Sequence, residues 1–482
     1  MSQNMRTSLV SLAVVLIGYA VYGWAGLTGA VRGSEPVSPA DIAVHSALPA
    51  PMDAKRILNI TTRHREWAMV PVGQSGVLTW IVYPERSDKA PVIILTGEPG
   101  APSDWVRAIS DQLAAEGFIA VAPGGTATAR NAEAVRGYAG ALPSADGHVV
   151  TLAFDTAARR VHVSGTLVHP TRFALAKSSW PDLIAFLNHS TGNNPLRTVT
   201  TDGHAEHFAA LMAGVQQSTS AAADGILPAS QKRDDLPASI LTAASALAHT
   251  RLRHEWVDIP TSTVKLHTWV SYPAGNGNAG VVIVMQQAPG NDLWERALAD
   301  QLAREGFIAV APDLHSGLGP HGGGFDDFEF RDDVMRANAR LNDDLRISFY
   351  RAARDWALKL PRANGKTASL GFCAGGSNSF RFAGDVPELN AAVVYYGGAP
   401  DETTMAKINA PVLGFYGDND VRVTASVEPA TAAMKKLGKS YESHIYKEAT
   451  HAFVWYQEIG RNYEAMADAW PRTIAFLKAH LN

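Results

Sequence analysis

Short apolar runs alternate with longer stretches of helical periodicity in the C-terminal half of the chain. The apolar runs predict buried strands at positions 280–286, 307–311, 367–372, 391–396 and 412–416. Apolar residues three and four apart predict helices over 293–305, 332–360 and 463–480. An antiparallel stretch at 255–272 is expected to start the sheet. This order of elements predicts an α/β fold built on a doubly wound, mostly parallel sheet.

The same pattern occurs twice along the chain. Glu66 recurs as Glu255, and the string F-I-A-V-A-P that begins at Phe118 recurs at Phe307, each with an offset of 189 residues (307 − 118 = 189). A constant offset of domain length indicates a tandem duplication rather than a solenoid, whose repeats are shorter.

The first copy is truncated relative to the second. Its string L-P-S-A-D-G-H-V-V-T-L-A-F-D ends at Asp155 and matches the string that ends at Cys373 (373 − 155 = 218). Only 25 residues then lead to Trp180 (180 − 155), against 97 from Cys373 to the matching Trp470 (470 − 373). We therefore predict that the first copy is catalytically inactive. Its role is left open between a packing partner, a lid and a ligand-binding module.

The chain divides into five segments. They are an apolar N-terminal segment (1–33), a proline-containing linker (34–53), the first copy (54–189), a Ser-, Ala- and Gly-rich linker (190–239) and the second copy (240–482).

The N-terminal segment predicts membrane attachment. Residues 8–31 carry no charge, between Arg6 and Arg32. The run meets the roughly 18–20 apolar residues that span a bilayer. We expect an uncleaved transmembrane signal anchor with an exported, periplasmic or extracellular, catalytic part. The alternative is a signal peptide cleaved near Thr28 to Ala30, which would leave a secreted protein.

Composition narrows the class of protein. A length of 482 residues exceeds one ordinary domain, and 46% hydrophobic and 18% charged residues are typical of a globular chain. The formal net charge of −4 comes with no basic patch, which argues against a nucleic-acid partner. A single cysteine excludes an intramolecular disulfide.

That cysteine, Cys373, is the strongest chemical signal. It lies in the string L-G-F-C-A-G-G, directly after a predicted strand and before a helical stretch. G-x-C-x-G is a nucleophile-elbow pattern, in which a strained strand-to-helix turn requires small neighbours such as Gly371, Gly375 and Gly376. The helix N-terminus would also favour the thiolate. A lone cysteine is more often a small buried hydrophobe, but the glycines favour a nucleophile.

The expected partners of such a nucleophile follow it in the order acid, then histidine. The strand-like run that begins at Pro411 ends in Asp418 and Asp420, and His451 follows a later strand-like run. We predict Asp420 as the acid, because the G-x-x-D spacing places it at the outer end of the turn, and Asp418 as a brace of that turn. Either aspartate could instead cap the next helix.

These strings resemble the dienelactone hydrolase family of α/β-hydrolases, the carboxymethylenebutenolidases. The matching strings, from about residue 241 to the C-terminus, are V-V-I-V-M-Q-Q-A-P-G, E-G-F-I-A-V-A-P-D-L, G-F-C-A-G-G, Y-Y-G, Y-G-D-N-D and A-T-H-A-F. The resemblance implies a triad of Cys373, His451 and Asp420 that hydrolyses an ester or lactone through a thioester. It also implies an oxyanion hole formed by the backbone N–H groups of Ala374 and Ala288.

Two positions differ from the family pattern. Gln287 stands where the family carries a glutamate that helps to activate the thiol. Trp455 stands where an arginine that holds the substrate carboxylate is expected. The region expected to form a cap contains Arg331, Arg336 and Arg340, but none of them can be matched to that arginine. An anionic lactone and a neutral or aromatic ester therefore both remain as substrates.

Two further motifs are set aside. The string H-G-G-G from His321 to Gly324 follows the wrong strand for an oxyanion loop and is better explained as a cap loop. His204 and His207 share a helical spacing but have no further ligands nearby. We expect no metal and no cofactor.

The sequence thus predicts a hydrolase that acts on small-molecule esters or lactones, with thioesters as a further substrate class. The alternatives are a non-catalytic ligand-binding module with a vestigial thiol, and an acyltransferase. Oligomeric state is not indicated.

Overall fold

The computed structural model describes residues 48–193 and 233–482, apart from positions 74, 98–99, 126–128, 157–158, 166–169 and 234. The predicted anchor, most of both linkers, and His204 and His207 lie outside the described residues. Among the helices of the described part, none is long and apolar enough to cross a membrane. The anchor stays a prediction.

The first copy folds around a mixed sheet of seven strands in the order β1-β2-β4-β3-β5-β6-β7. The strands are β1 (Arg65–Val72), β2 (Ser75–Val82), β3 (Ala90–Thr96), β4 (Ile119–Pro123), β5 (Ala145–Asp155), β6 (Arg160–Gly165) and β7 (Thr171–Ala174). Strand β3 runs parallel to β4 and β5, and the other pairs are antiparallel.

The second copy folds around eight strands in the order β8-β9-β11-β10-β12-β13-β14-β15. They are β8 (His254–Pro260), β9 (Lys265–Ser271), β10 (Ala279–Met285), β11 (Ile308–Pro312), β12 (Ala363–Phe372), β13 (Ala391–Tyr395), β14 (Val412–Gly417) and β15 (Tyr441–Tyr446). All pairs from β11 to β15 are parallel, and β8 and β9 add an antiparallel edge. The predicted mostly parallel sheet is confirmed.

Helices cover the sheets. In the first copy they are α1 (Ala54–Ile60), α2 (Asp104–Ala115), α3 (Ala129–Gly140) and α4 (Trp180–Thr191). In the second copy they are α5 (Ala243–Ala248), α6 (Leu293–Arg304), α7 (Arg331–Asn338), α8 (Asp343–Ala357), α9 (Ala374–Asp385), α10 (Glu402–Met405), α11 (Val421–Thr424), α12 (Val427–Lys436) and α13 (Asn462–Leu481).

Strands β10, β11 and β13 are apolar and buried throughout because both faces of the sheet are covered. In β10, Val282 and Val284 join a core with α6 and α13, whereas Val281 and Ile283 join a core with α8 and α9. The first sheet has the same two-sided arrangement. Both copies are therefore layered α/β/α.

The single helix expected over 332–360 is divided into two helices in the structure. The predicted helix over 332–360 is interrupted between α7 and α8, where the Asn342 side chain accepts a hydrogen bond from the Leu345 N–H at 2.8 Å. This is an N-cap. The polar run Asn342 to Asp344 carries that start signal, and the continuous apolar periodicity concealed it.

Equivalent strands occupy equivalent places in the two sheets. The order and directions of β1-β2-β4-β3-β5 match those of β8-β9-β11-β10-β12. The copies then differ, because β6 turns back antiparallel to β5, whereas β13 continues parallel to β12. The first copy thus has a hairpin where the second has strands β13 to β15.

Side-chain hydrogen bonds repeat with the same offset of 189. The Trp105 indole donates to the Pro49 carbonyl, and the Trp294 indole donates to the Ala238 carbonyl, both at 2.8 Å. The tyrosine–glutamate bonds Tyr83–Glu66 and Tyr272–Glu255 and the threonine–aspartate bonds Thr61–Asp111 and Thr250–Asp300 form two more matched pairs. Duplicated strings therefore make duplicated contacts.

Candidate active site

Cys373 lies on a strained turn between β12 and α9. Its φ of 55° and ψ of −119° place a non-glycine residue in the left-handed half of the map. Such conformations cost about 1–3 kcal/mol each and occur mostly at functional sites. The Cys373 N–H donates to the Tyr395 carbonyl at 3.0 Å, which ties the turn to the neighbouring strand.

The glycines around Cys373 are there because backbones meet at this turn. A Cβ on Gly371 would lie 1.9 Å from the Gly375 carbonyl oxygen, and one on Gly375 would lie 2.0 Å from the Met285 carbonyl oxygen. Neither position accepts a side chain without moving main chain. The elbow and the end of β10 are therefore packed directly together.

Asp420 and His451 meet in the loops that follow β14 and β15. The Asp420 Oδ2 and His451 Nδ1 atoms are 2.5 Å apart, and both residues are about 5% exposed. His451 Nε2 is buried and makes no hydrogen bond within the described part of the chain. A ring nitrogen of His451 lies within 4.8 Å of the Cys373 sulfur.

The charges of these groups are interdependent. Burial alone would raise the pKa of Cys373, but His451 and then His64 lower it well below its ordinary value. Burial alone would lower the pKa of His451, yet the Asp420 carboxylate and then Cys373 raise it from 6.5 to about 9. The electrostatics thus favour a thiolate beside an imidazolium.

Asp418 has a different role. Its Oδ1 accepts the backbone N–H of Glu448, which joins the turn after β14 to the loop that carries His451. The structure therefore brings Asp420, and not Asp418, to the histidine, and Asp418 braces the turn.

The two backbone segments predicted to form the oxyanion hole lie next to each other. Ala374 opens α9 directly after Cys373, and Ala288 follows β10 and is 7% exposed. A Cβ added to Gly375 would lie 2.0 Å from the Met285 carbonyl oxygen and 2.6 Å from that of Gln286, so the two backbone segments pack closely together.

Gln287 is buried beside this segment. Its side chain is 2% exposed, and its Nε2 has no hydrogen-bond partner among the described residues. Its backbone N–H donates to Glu295 at 3.2 Å.

Trp455 is a buried wall residue in the apolar cluster that also contains Cys373. It is 3% exposed, and the guanidinium of Arg331 lies 4.1 Å from its ring centre. The Arg331 Nη1 also donates to the Tyr456 hydroxyl at 3.3 Å. Arg331 of α7 therefore lies against Trp455, the residue that stands where the family pattern has an arginine.

Tyr396 also lines the site, although the sequence analysis did not single it out. Its ring lies 5.0 Å from the His451 ring, and its φ is 40°. Its hydroxyl is buried without a partner in the described structure, and burial together with Cys373 raises its pKa well above 10.

The first copy covers the site, which the sequence did not reveal. His64 lies just before β1, with its Nδ1 3.7 Å from the Cys373 sulfur. The Arg86 backbone of the first copy pairs with Asp420 in a parallel bridge and accepts the Val421 N–H at 3.2 Å.

Ion pairs hold the two copies in this position. Arg107, whose side chain is fully buried, contacts Asp332 of α7 at 2.5 Å and Asp104 of its own copy at 2.6 Å. Arg336 of α7 reaches the same Asp104 at 2.7 Å. The first copy is therefore docked on the carboxyl-end face of the second.

The sulfur and the two imidazoles also form the one cluster of potential metal ligands found among the described residues. The ligand atoms of His64, Cys373 and His451 lie within 4.8 Å of one another. We assign them to nucleophile chemistry, because the strained elbow and the helix N-terminus both serve a reactive thiol.

Comparison with known proteins agrees with this fold. The dienelactone hydrolase family matches residues 266–481. A "Putative carboxymethylenebutenolidase" of Salmonella typhimurium is 28% identical over 260 residues, which cover 49% of this chain and 94% of the relative. A "Probable 2-oxo-3-(5-oxofuran-2-ylidene)propanoate lactonase" of Bradyrhizobium is 27% identical over 249 residues, covering 49% of this chain and 98% of the relative.

Among solved structures, a "Putative Dienelactone Hydrolase" of Klebsiella pneumoniae is 25% identical, with a TM-score of 0.42, and covers 47% of this chain and 98% of its own. The family model, which matches residues 266–481, and the curated relatives place the second copy in the dienelactone hydrolase family and support a hydrolase of the ester and lactone type.

Proposed function

We propose that the second copy hydrolyses a lactone or ester with Cys373 as nucleophile, His451 as acid and base, and Asp420 as the group that orients His451. The observation that carries the proposal is the strained Cys373 turn beside an imidazole whose other nitrogen is held by a buried carboxylate. This arrangement is the activated-nucleophile pattern of covalent catalysis.

The first half of the reaction forms a thioester. The Cys373 thiolate attacks the carbonyl carbon, and the carbonyl electron pair moves to the oxygen, where the N–H groups of Ala374 and Ala288 are placed to stabilise it. When the oxyanion collapses, the C–O bond breaks and His451 gives its proton to the departing oxygen. A lactone opens here to a hydroxy-acyl thioester.

The second half returns the enzyme to its starting state. His451 takes a proton from water, and the hydroxide attacks the thioester carbonyl. Collapse expels the Cys373 thiolate and leaves a carboxylic acid. Asp420 remains ionised throughout, because His451 and Arg422 overcome the effect of burial and bring its pKa to about 2. It stabilises the imidazolium and does not take the proton.

The substrate class follows from the relatives and from α7. One relative is named as a carboxymethylenebutenolidase and another as a lactonase. Arg331, stacked on Trp455, offers a cation beside an apolar wall. We therefore favour a lactone that bears a carboxylate over a neutral aryl ester.

A panel of anionic and neutral lactones and esters tests the proposal, using the native protein, Cys373→Ala and Arg331→Met. Cys373→Ala should lose hydrolysis of every substrate. Arg331→Met should raise KM for the anionic members and leave the neutral members unchanged. Equal hydrolysis by the native protein and Cys373→Ala would refute the nucleophile assignment.

Mass spectrometry of the protein during turnover supplies a second readout. An acyl adduct on the chain should appear in the native protein and be absent from Cys373→Ala. The mass of the adduct identifies the acyl group, and its absence from Cys373→Ala identifies the attachment site, because the chain has one cysteine.

A further inference from the structure

His64 gives the Cys373 sulfur a second imidazole. The His64 Nδ1 atom is 3.7 Å from the sulfur, and its ring meets the His451 ring edge-on at 4.7 Å between centres. The His64 side chain is 10% exposed. The thiol therefore lies beside two histidines, the buried His451 of its own copy and the partly buried His64 of the first copy.

A carboxylate also lies near His64, at ion-pair distance rather than the hydrogen-bond distance at which Asp420 holds His451. Glu66 Oε2 is 3.6 Å from His64 Nε2, and Glu66 Oε1 accepts a hydrogen bond from the Tyr83 hydroxyl at 2.9 Å. Acidic and basic side chains thus alternate along a series of neighbours: Glu66, His64, Cys373, His451 and Asp420.

The equivalent residues of the second copy show which of these contacts belong to the fold itself. Glu255 and Tyr272 repeat the glutamate–tyrosine bond at 2.8 Å, so this bond belongs to the fold of both copies. The residue that corresponds to His64 is Arg253 (64 + 189 = 253), an exposed side chain that pairs with Glu255. The fold therefore does not need a histidine at this position.

Other titratable groups lie around the two imidazoles. Burial would raise the pKa of Glu66, but His64, Arg422 and Tyr83 together bring it to about 2, so it stays ionised. Arg422 lies 3.9 Å from Asp420 and over the Tyr83 ring. Glu85, buried without a hydrogen-bond partner in the described structure, has its pKa raised chiefly by burial.

We propose, on the basis of the thiol chemistry proposed above, that His64 of the first copy is a catalytic residue of the second. Its Nδ1–H donates to the Cys373 sulfur and holds the resting thiolate, while Glu66 orients the imidazole through Nε2. The active site is then a composite of both copies, and the first copy is not only a lid.

This role complements that of His451. A buried anion is stable only when it is hydrogen-bonded. His451 must give its proton to the departing oxygen and later act on water, so it cannot serve the sulfur alone through the whole cycle. His64 stays with the sulfur, and it is in place to receive the thiolate when the thioester collapses.

The test measures the pH dependence of Cys373 alkylation by iodoacetamide in the full chain. The variants are His64→Phe, which keeps a ring but no donor, His64→Asn, which keeps a donor near the Nδ1 position, and Glu66→Gln. Glu255→Gln is the matched control, because it changes the same glutamate–tyrosine bond away from the sulfur.

His64→Phe should move the alkylation midpoint up by about one to three pH units, because the buried thiolate loses a hydrogen-bond donor. His64→Asn and Glu66→Gln should give smaller upward shifts, and Glu255→Gln should give none. In the same order, kcat/KM at pH 7 should fall, by on the order of tenfold or more for His64→Phe.

An alkylation midpoint in His64→Phe equal to that of the native protein would overturn the proposal, and so would a rise in kcat/KM. A shift equal in Glu66→Gln and Glu255→Gln would remove the role of Glu66. Alkylation needs no substrate turnover, so this result is independent of whether Cys373→Ala abolishes hydrolysis. The two proposals can therefore fail separately.

Discussion

Replacement of Asp420 by asparagine tests the proposed triad most directly. The change keeps the size of the side chain and removes the charge that faces His451 at 2.5 Å. Asp418→Asn is the matched control, because it lies two residues away and contacts a backbone N–H instead of the imidazole.

The pKa of His451 sets the expected magnitude. Burial acts to lower it, and the Asp420 carboxylate is the largest influence that raises it, to about 9 from 6.5. At about 1.4 kcal/mol per pKa unit, this difference corresponds to roughly 3 kcal/mol. Most of this stabilisation of the imidazolium is lost in Asp420→Asn, so kcat/KM should fall by about 10² to 10⁴.

A pH–rate profile of kcat/KM on one lactone measures both the size and the cause of the loss. The alkaline limb should lie near pH 9 in the native protein and move to lower pH in Asp420→Asn, because the pKa of His451 falls. Asp418→Asn should keep the native limb. The reasoning is wrong if the two aspartate variants lose activity equally, or if Asp420→Asn stays within about tenfold of the native protein.

Three further predictions concern docking, the elbow and pH. Arg107→Met should lower the free energy of unfolding in urea by about 3 kcal/mol, because the buried Asp332 carboxylate loses its closest partner and keeps only Arg336 at 3.7 Å. Arg336→Met removes a side chain that is 42% exposed and should cost at most about 1 kcal/mol. Gly375→Ala should abolish hydrolysis, because its Cβ meets a main-chain oxygen at 2.0 Å, and Gly398→Ala, whose Cβ meets nothing within 3.7 Å, should retain it. In the native protein kcat/KM should decline as pH rises through about 9, where His451 loses the proton required by the leaving group.

The sequence was sufficient to predict the second sheet and the neighbourhood of Cys373. Buried parallel strands are apolar on both faces, so their positions are visible as uniform runs. The elbow is visible because its glycines are required by contacts between backbones. The carboxyl ends of parallel strands meet at one edge, so the order of Cys373, Asp420 and His451 predicts that they converge.

The contribution of the first copy could not be predicted in the same way. His64 is separated from Cys373 by 309 residues, and its string carries no catalytic motif. Alignment of the copies places His64 opposite Arg253. The repeated pattern therefore contains no second histidine that would indicate a shared role. Its role depends on how two domains dock, and docking depends on single ion pairs such as Arg107–Asp332 that leave no periodic pattern.

The structure also suggests why a truncated copy is retained. A copy that lacks strands equivalent to β13 to β15 cannot place its own acid and histidine, yet its edge strands β1 and β2 are intact. Strand β1 carries Glu66, Tyr83 directly follows β2, and His64, directly before β1, lies at the sulfur of the other copy. Loss of one active site and gain of a residue at the other are compatible, because they involve opposite halves of the same sheet. If His64 acts as proposed, the duplication produced one active site built from two copies rather than two active sites.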